Sequence, residues 1–309
     1  IMELTRTPIQ TPSFRDFIRL SRPHQWTKNV FVLAPVLFSE SIGKPEALLQ
    51  AALAFLCFCF WSSSVYCLND LLDAEADRLH PRKRDRPIPS GRVAPSMAIV
   101  LGTGLATSAC VIAVFALPRS FLVFGLVYLA NSVLYCLLLK HRVIVDVLSI
   151  SIGFVLRLLA GCAAISVAPT SWILVCGFSL AMLLGFGKRR LEIDAISQSG
   201  DFRPTLQSYS VDKLNLVLGI TSSICLLSYM LYTVSPETVK LHHTTNLVYT
   251  VPFVAYGVFR YLFKVQEGHY DGPVEVLLKD PIFALNGFLW LATIVAVLYL
   301  FPASGAIAP

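Results

Sequence analysis

Nine stretches of this chain are apolar at or near the length needed to cross a lipid bilayer. They run roughly over Val30–Ser41, Ala47–Leu68, Pro95–Leu117, Ser120–Leu139, Val143–Val167, Ser171–Phe186, Leu214–Val234, Asn246–Phe263 and Ile282–Phe301. A helix rises about 1.5 Å per residue and the hydrocarbon core is about 30 Å thick, so about 20 apolar residues make one span. The composition agrees. Of 309 residues, 55% are hydrophobic and 14% charged, where a soluble domain carries about 25% charged residues. Several soluble domains, a disordered chain and a disulfide-rich secreted module are excluded. The expected architecture is all-α: one polytopic domain, residues 1–309, with nine transmembrane helices embedded in the membrane bilayer.

The first stretch is short and contains Pro35, so its helix is expected to begin near Trp26 and to carry Lys28 and Asn29. No cleavable signal peptide is expected. Within the polar segment 1–22, Ser13–Leu20 reads as a short interfacial helix with Phe14, Phe17 and Ile18 on one face. Lys and Arg collect on the cytoplasmic side of membrane proteins. With the N-terminus inside, only Lys44, Arg119 and Lys240 of the 25 lysines and arginines fall outside, and Arg157 lies within a span. The odd helix count then puts the C-terminus outside. An inner (plasma) membrane location with a cytoplasmic active face is expected. The net charge of +6 becomes a one-sided field, serving topology alone or also attracting phosphate-bearing substrates.

The eight cysteines all fall in expected spans and make no metal-type spacing, so they read as small apolar packing residues. The His242–His243 pair reads as surface.

The chemistry gathers in two cytoplasmic connections, 69–94 and 187–212. The second expected helix ends Tyr66-Cys67-Leu68-Asn69-Asp70-Leu71-Leu72-Asp73-Ala74-Glu75-Ala76-Asp77. Asn69, Asp73 and Asp77 recur every four residues and share a helical face, with Tyr66 about one turn before them. Stacked carboxylates repel, and nothing within the stripe offsets this. A divalent cation would, and Mg²⁺ typically takes one or two carboxylates and completes its shell with water and phosphate oxygens. Asn69, Asp70, Asp73 and Asp77 are the candidate metal ligands. A single aspartate there would read as a polar helix end; the whole pattern points to metal. Arg82, Lys83, Arg84 and Arg86 follow at once. Alone they would be a topology signal. Beside the stripe they read as a phosphate clamp.

Asn69-Asp70-x-x-Asp73-x-x-x-Asp77, followed by Arg82 and Arg86-Pro87-Ile88-Pro89-Ser90-Gly91, resembles the first signature of the UbiA superfamily of intramembrane prenyltransferases. That resemblance covers nearly the whole chain. It implies aspartates that bind Mg²⁺ holding a diphosphate, and helices around a central cavity open laterally to lipid. Typical members carry a second Asp-x-x-x-Asp motif after the sixth span. This chain has Gly187-Lys188-Arg189-Arg190-Leu191-Glu192 instead, with Lys188 and Glu192 where the paired aspartates would stand. An ammonium in place of a carboxylate favours a second anion over a second metal.

Gly187-Lys188-Arg189 with Glu192, the run Arg22-Pro23-x-Gln25-Trp26-x-Lys28-Asn29, and Asp146 with Arg157 resemble the polyprenyl-phosphate phosphoribosyltransferase branch of that superfamily. The resemblance implies transfer of 5-phosphoribose from phosphoribosyl diphosphate to a polyprenyl phosphate, feeding arabinose donors for cell-surface glycans. It implies that Lys28 is a phosphate ligand, although Lys28 could equally snorkel to the interface. Asp73, Asp77, Asp146 and Lys188 are the expected catalytic residues. Lys188 and Arg189 are expected to orient the lipid phosphate.

Asp146 and Arg157 are eleven residues apart, on one face but about 16 Å apart, so each needs another partner. Asp146 could hold ribose hydroxyls or metal; Arg157 is either structural or substrate-contacting. Asn131 and Tyr135, with Lys140 at the helix end, either line the same cavity or bond between helices. No nucleic-acid partner is expected, and a homo-oligomer stays open. Two other activities remain. Prenyl transfer to an aromatic acceptor predicts a second acidic motif. A transporter predicts broken helices with ionisable residues near mid-membrane.

Overall fold

The computed structural model describes residues 12–39, 41–79, 83–199, 209–268, 270 and 272–300. Among them every regular element is helical. Arg82, an expected phosphate ligand, lies outside the described residues, as does much of the 187–212 connection.

The α-helices in chain order are α1 (Phe14–Ser21), α2 (Ala34–Phe38), α3 (Pro45–Leu72), α4 (Ala74–Leu79), α5 (Pro95–Ala116), α6 (Arg119–Leu137) and α7 (Val145–Ala164). Then come α8 (Ser171–Ser199), α9 (Val211–Val234), α10 (Pro236–His242), α11 (Val251–Glu267), α12 (Pro273–Lys279) and α13 (Pro281–Val295), the last continuing through a π turn to Leu300. Seven of these elements are long and apolar enough to cross a membrane: α3, α5, α6, α7, α8 through Ile193, α9 and α13 with its extension. The chain is a multi-pass membrane protein, with apolar residues such as Val100, Phe115, Leu216 and Phe263 facing outward. Asn29, Ser62, Ser63, Ser149, Ser151 and Arg157 are buried inside.

Two of the nine expected stretches have a different form. The first is no continuous span: a 3₁₀ run over Pro23–Val32 gives way to the five-residue α2. Pro35 has no N–H to continue a helical ladder and restricts Ala34 before it. Gly161 of α7 admits this run, since a Cβ there would lie 2.2 Å from the Val32 carbonyl oxygen. The eighth is a 3₁₀ turn, Asn246–Thr250, followed by the 17-residue α11. Pro252, with no N–H to donate, stands in the first α-turn of α11, where that donor is not needed.

α7 is the central element, two-thirds buried where α13 is largely exposed. It packs on α6, α8 and the Pro23–Val32 run, while α3 pairs with α5 and α8 with α9. Phe58, Trp61, Phe121 and Tyr128 pack behind α7 in one aromatic cluster. The short helix expected over Ser13–Leu20 forms as α1: Leu20 is buried against Cys67, Ile88 and Val93 with Phe17 packed beside them, and Phe14 and Ile18 are exposed. All eight cysteines are free, six of them buried. His242, read as surface, is buried at the end of α10 with Nε2 3.4 Å from the Tyr232 hydroxyl, and of the pair only His243 is exposed.

Candidate active site

α3 ends at Leu72, and Asp73 takes φ −91° and ψ 0° before α4 begins. The helical ladder still passes through the break: Asp73 N–H donates to the Asn69 carbonyl at 2.9 Å and Asp77 N–H to the Asp73 carbonyl at 2.8 Å. The stripe therefore survives the change of helix. Asn69 Nδ2 donates to Asp73 Oδ2 at 3.0 Å, leaving Asn69 Oδ1 as an acceptor.

Tertiary neighbours supply the positive charge that the stripe itself lacks. Lys140 Nζ lies 2.6 Å from Asp73 Oδ1. Arg86 Nη1 lies 2.5 Å from Asp77 Oδ2 and 3.1 Å from Asp70 Oδ1, and Lys83 Nζ lies 4.0 Å from Asp77 Oδ1. Arg22 also bonds Asp70 while its guanidinium lies 5.0 Å from the Tyr66 ring centre. Asp70, expected as a metal ligand, is instead buried among Arg22 and Arg86. One residue past Asn69, it points about 100° away around the helix. Arg84 is exposed on the loop.

Asn69, Asp73 and Asp77 present hard oxygen donors, the chemistry Mg²⁺ prefers. Among the described residues no three His, Cys, Asp or Glu side chains gather closely enough to hold a metal by themselves. A cation here needs oxygens from a ligand to complete its shell, as Mg²⁺ bound with a diphosphate does.

The end of α6 joins this cluster to a second one. Lys140 meets Asp73, and one turn before, the Tyr135 hydroxyl accepts from Arg189 Nη2 at 3.3 Å. Arg189 is 3% exposed. Its Nε donates to Asp146 Oδ2 at 2.7 Å and its Nη1 donates to Glu192. Asp146, 1% exposed, accepts at Oδ1 from Tyr209 at 3.1 Å and from Val147 N–H at 2.8 Å. Both Asp146 oxygens are thus occupied within the protein. Asp146, expected to be catalytic, and Arg189, expected to orient the lipid phosphate, stand here in one buried hydrogen-bonded scaffold. Lys188 remains open to solvent, its side chain 41% exposed and its Nζ 3.6 Å from Glu192 Oε1.

Deeper lies Arg157, buried with no carboxylate in ion-pair range among the described residues. It donates to Asn29 Oδ1 at 2.9 Å, the Gly153 carbonyl at 2.9 Å and the Tyr128 hydroxyl at 2.8 Å. Its guanidinium also lies 4.5 Å from the Tyr128 ring centre and 5.3 Å from that of Phe154. Asn29 is fixed in turn by Ser62, 3.2 Å from its Nδ2. Lys28 stands close enough to feel repulsion from both Arg157 and Arg22. Asn131 bonds Ser149 on α7 through both the backbone and the hydroxyl, at 3.0 and 3.1 Å, so it ties helices together. Arg22 was legible only within the run Arg22–Asn29 that carries the resemblance, and Tyr128 signals itself only by lying three residues before Asn131.

An all-helical membrane fold with a broken acidic helix end beside a basic loop can be set against known proteins. Residues 30–283 match the UbiA prenyltransferase family. The chain belongs to the UbiA family. It is 31% identical to decaprenyl-phosphate phosphoribosyltransferase of Mycolicibacterium smegmatis over 91% of this chain and 92% of that protein. It is 32% identical to the protein of the same name from Corynebacterium glutamicum, over 92% and 87%. In fold it resembles a UbiA homolog from Archaeoglobus fulgidus bound to GPP and Mg²⁺, with TM-score 0.70 and 20% identity over 92% of this chain and 99% of that one. This UbiA-family chain is therefore a membrane-embedded transferase, and the transporter alternative falls.

Proposed function

We propose that this protein transfers 5-phosphoribose from phosphoribosyl diphosphate to a polyprenyl phosphate and releases diphosphate. Its relatives from Mycolicibacterium smegmatis and Corynebacterium glutamicum are named decaprenyl-phosphate phosphoribosyltransferase. One observation carries the reading for this chain. Cationic side chains stand at three separate places: Lys83 with Arg86, Lys188, and Lys28 with Arg157. The reaction brings together three phosphate-bearing groups: the donor diphosphate, the donor 5-phosphate and the lipid phosphate. Transfer of a prenyl group to a neutral acceptor presents only one. It would leave Arg157 as a buried charge that costs at least about 2.5–3.5 kcal/mol in mid-bilayer.

In this reading Asn69, Asp73 and Asp77 hold Mg²⁺, which supplies charge neutralisation to the donor diphosphate. Arg86 keeps Nη1 on Asp77 and Asp70, and turns its remaining N–H groups, with the Lys83 ammonium, toward the departing diphosphate. The bond from ribose C1 to the diphosphate oxygen breaks as C1 gains oxocarbenium character. A lipid-phosphate oxygen forms the new bond to C1. That phosphate is already ionised, so no side chain need take a proton from it. Lys188 offsets repulsion between the two anions. Catalysis is then chiefly positioning and electrostatic stabilisation.

The same reading completes nine crossings with residues 23–38 and 246–267, around a central cavity. It places the N-terminus and the acidic stripe on the cytoplasmic side of the inner membrane, and the C-terminus outside.

The test is diphosphate release by the purified protein with Mg²⁺ and phosphoribosyl diphosphate, with and without polyprenyl phosphate. Lipid-dependent release and a phosphoribosylated lipid by mass spectrometry are expected. No release, with turnover of a prenyl diphosphate and an aromatic acid, overturns the reading.

A further inference from the structure

Ile144, just before α7, has φ +68° and ψ −47°. A β-branched residue is an outlier at positive φ. Such a conformation costs about 1–3 kcal/mol and persists where its surroundings impose it, often beside a functional site. Here the Tyr209 hydroxyl helps impose it. It accepts the Ile144 N–H at 2.7 Å and donates to Asp146 Oδ1 at 3.1 Å. Burial pushes the Tyr209 hydroxyl up to about 12, so it keeps its proton to donate at any physiological pH.

From Asp146 the contacts run on without a gap. Its second oxygen takes Arg189 Nε at 2.7 Å. Arg189 Nη1 donates to Glu192 Oε2, and Glu192 Oε1 lies 3.6 Å from Lys188 Nζ. Each carboxylate in the run uses one oxygen in each direction. The middle members are buried, Asp146 at 1% and Arg189 at 3% exposure, and Lys188 at the end is open. Among these contacts a displacement at Ile144 or Asp146 reaches the Lys188–Glu192 pair through Arg189, which also donates to the Tyr135 hydroxyl on α6.

We infer that Tyr209 is a positioning residue for the acceptor end of the site: by clamping the strained Ile144 turn and Asp146, it fixes Arg189 and sets Lys188 for the phosphate of a polyprenyl phosphate. The inference rests on the phosphoribosyl-transfer reading for the identity of that ligand. Tyr209 touches no substrate in it. Without the hydroxyl, Ile144 relaxes to ordinary backbone angles and Asp146 moves with it.

The experiment measures binding rather than turnover. The full chain in nanodiscs is titrated with polyprenyl phosphate and, separately, with phosphoribosyl diphosphate and Mg²⁺. Tyr209→Phe, nearly isosteric, is expected to weaken polyprenyl phosphate about tenfold, the scale of one hydrogen bond to a charged group, and to leave donor affinity within about twofold. Adding Ile144→Gly to Tyr209→Phe is expected to restore most of the lipid affinity, because glycine holds positive φ without strain. General damage to the fold would not be repaired that way. Equal weakening of both ligands, or unchanged lipid affinity, overturns the inference. Because the readout is binding, a wild type that binds both ligands in this pattern yet releases no diphosphate removes the reaction reading alone. Turnover with full lipid affinity in Tyr209→Phe removes this one alone.

Discussion

Lys140 Nζ lies 2.6 Å from Asp73 Oδ1, joining the turn after α6 to the break between α3 and α4. Asp73 thus has a protein cation on one oxygen and the Asn69 amide on the other. If the stripe holds Mg²⁺ in turnover, Asp73 is the residue whose charge matters most. Asp73→Asn keeps its size and is expected to lower Mg²⁺-dependent diphosphate release at least about 100-fold, the scale of losing one strong electrostatic contact to the transition state. Its melting temperature should stay close to wild type. Retained activity at saturating Mg²⁺ would remove the metal assignment.

Arg157 separates stability from activity. Its hydrogen-bond partners are neutral, and no carboxylate among the described residues answers its charge. Replacing buried charge by apolar bulk is often neutral or stabilising. Arg157→Met is therefore expected to melt at or above the wild-type temperature while losing phosphoribosyl transfer. A substantially lower melting temperature with transfer retained would make Arg157 a structural residue.

Acid should loosen the α11–α13 junction in a defined window. The hydrogen bonds from Arg260, at 2.9 and 2.8 Å, hold the Asp280 carboxyl below its ordinary 3.8. A depressed carboxylate contributes stability fully above its unfolded value and loses it as pH falls through the folded value. Asp280 also caps α13 through Ile282 and Phe283 N–H, a role asparagine keeps. Asp280→Asn should thus cost a few tenths to about 1 kcal/mol at pH 7. The gap from wild type should close below pH 3.8. Thermal melts of both proteins across that range provide the check; a gap that stays constant would exclude the ion pair as its source.

Gly187 precedes Lys188 because Tyr261 stands over it. A Cβ at 187 would fall 2.1 Å from the Tyr261 hydroxyl. Gly187→Ala is expected to destabilise by about 1–3 kcal/mol, with Tyr261→Phe in the same chain recovering part of it. Additive losses in the melting curves would show that the two positions do not compete for space.

The helical membrane fold was legible because apolar length follows from bilayer thickness, which no tertiary contact alters. So was the Asn69, Asp73 and Asp77 stripe, since residues four apart share a helical face and Asp73 bends the helix without breaking its register. The partners of Asp146 and Arg189 were not legible. Spacing could show that each needed a partner, but only the meeting of α6, α7, α8 and Tyr209 spends both residues on one another and leaves Lys188 exposed. Nor could the sequence show that the first apolar stretch is a 3₁₀ run followed at Ala34 by a short α-helix, nor that Arg157 would find Asn29 and Tyr128 in place of a carboxylate. Periodicity along one chain specifies which side chains share a face. Which charge answers which, across 43 residues for Asp146 and Arg189 or 67 for Asp73 and Lys140, is decided by how the helices pack.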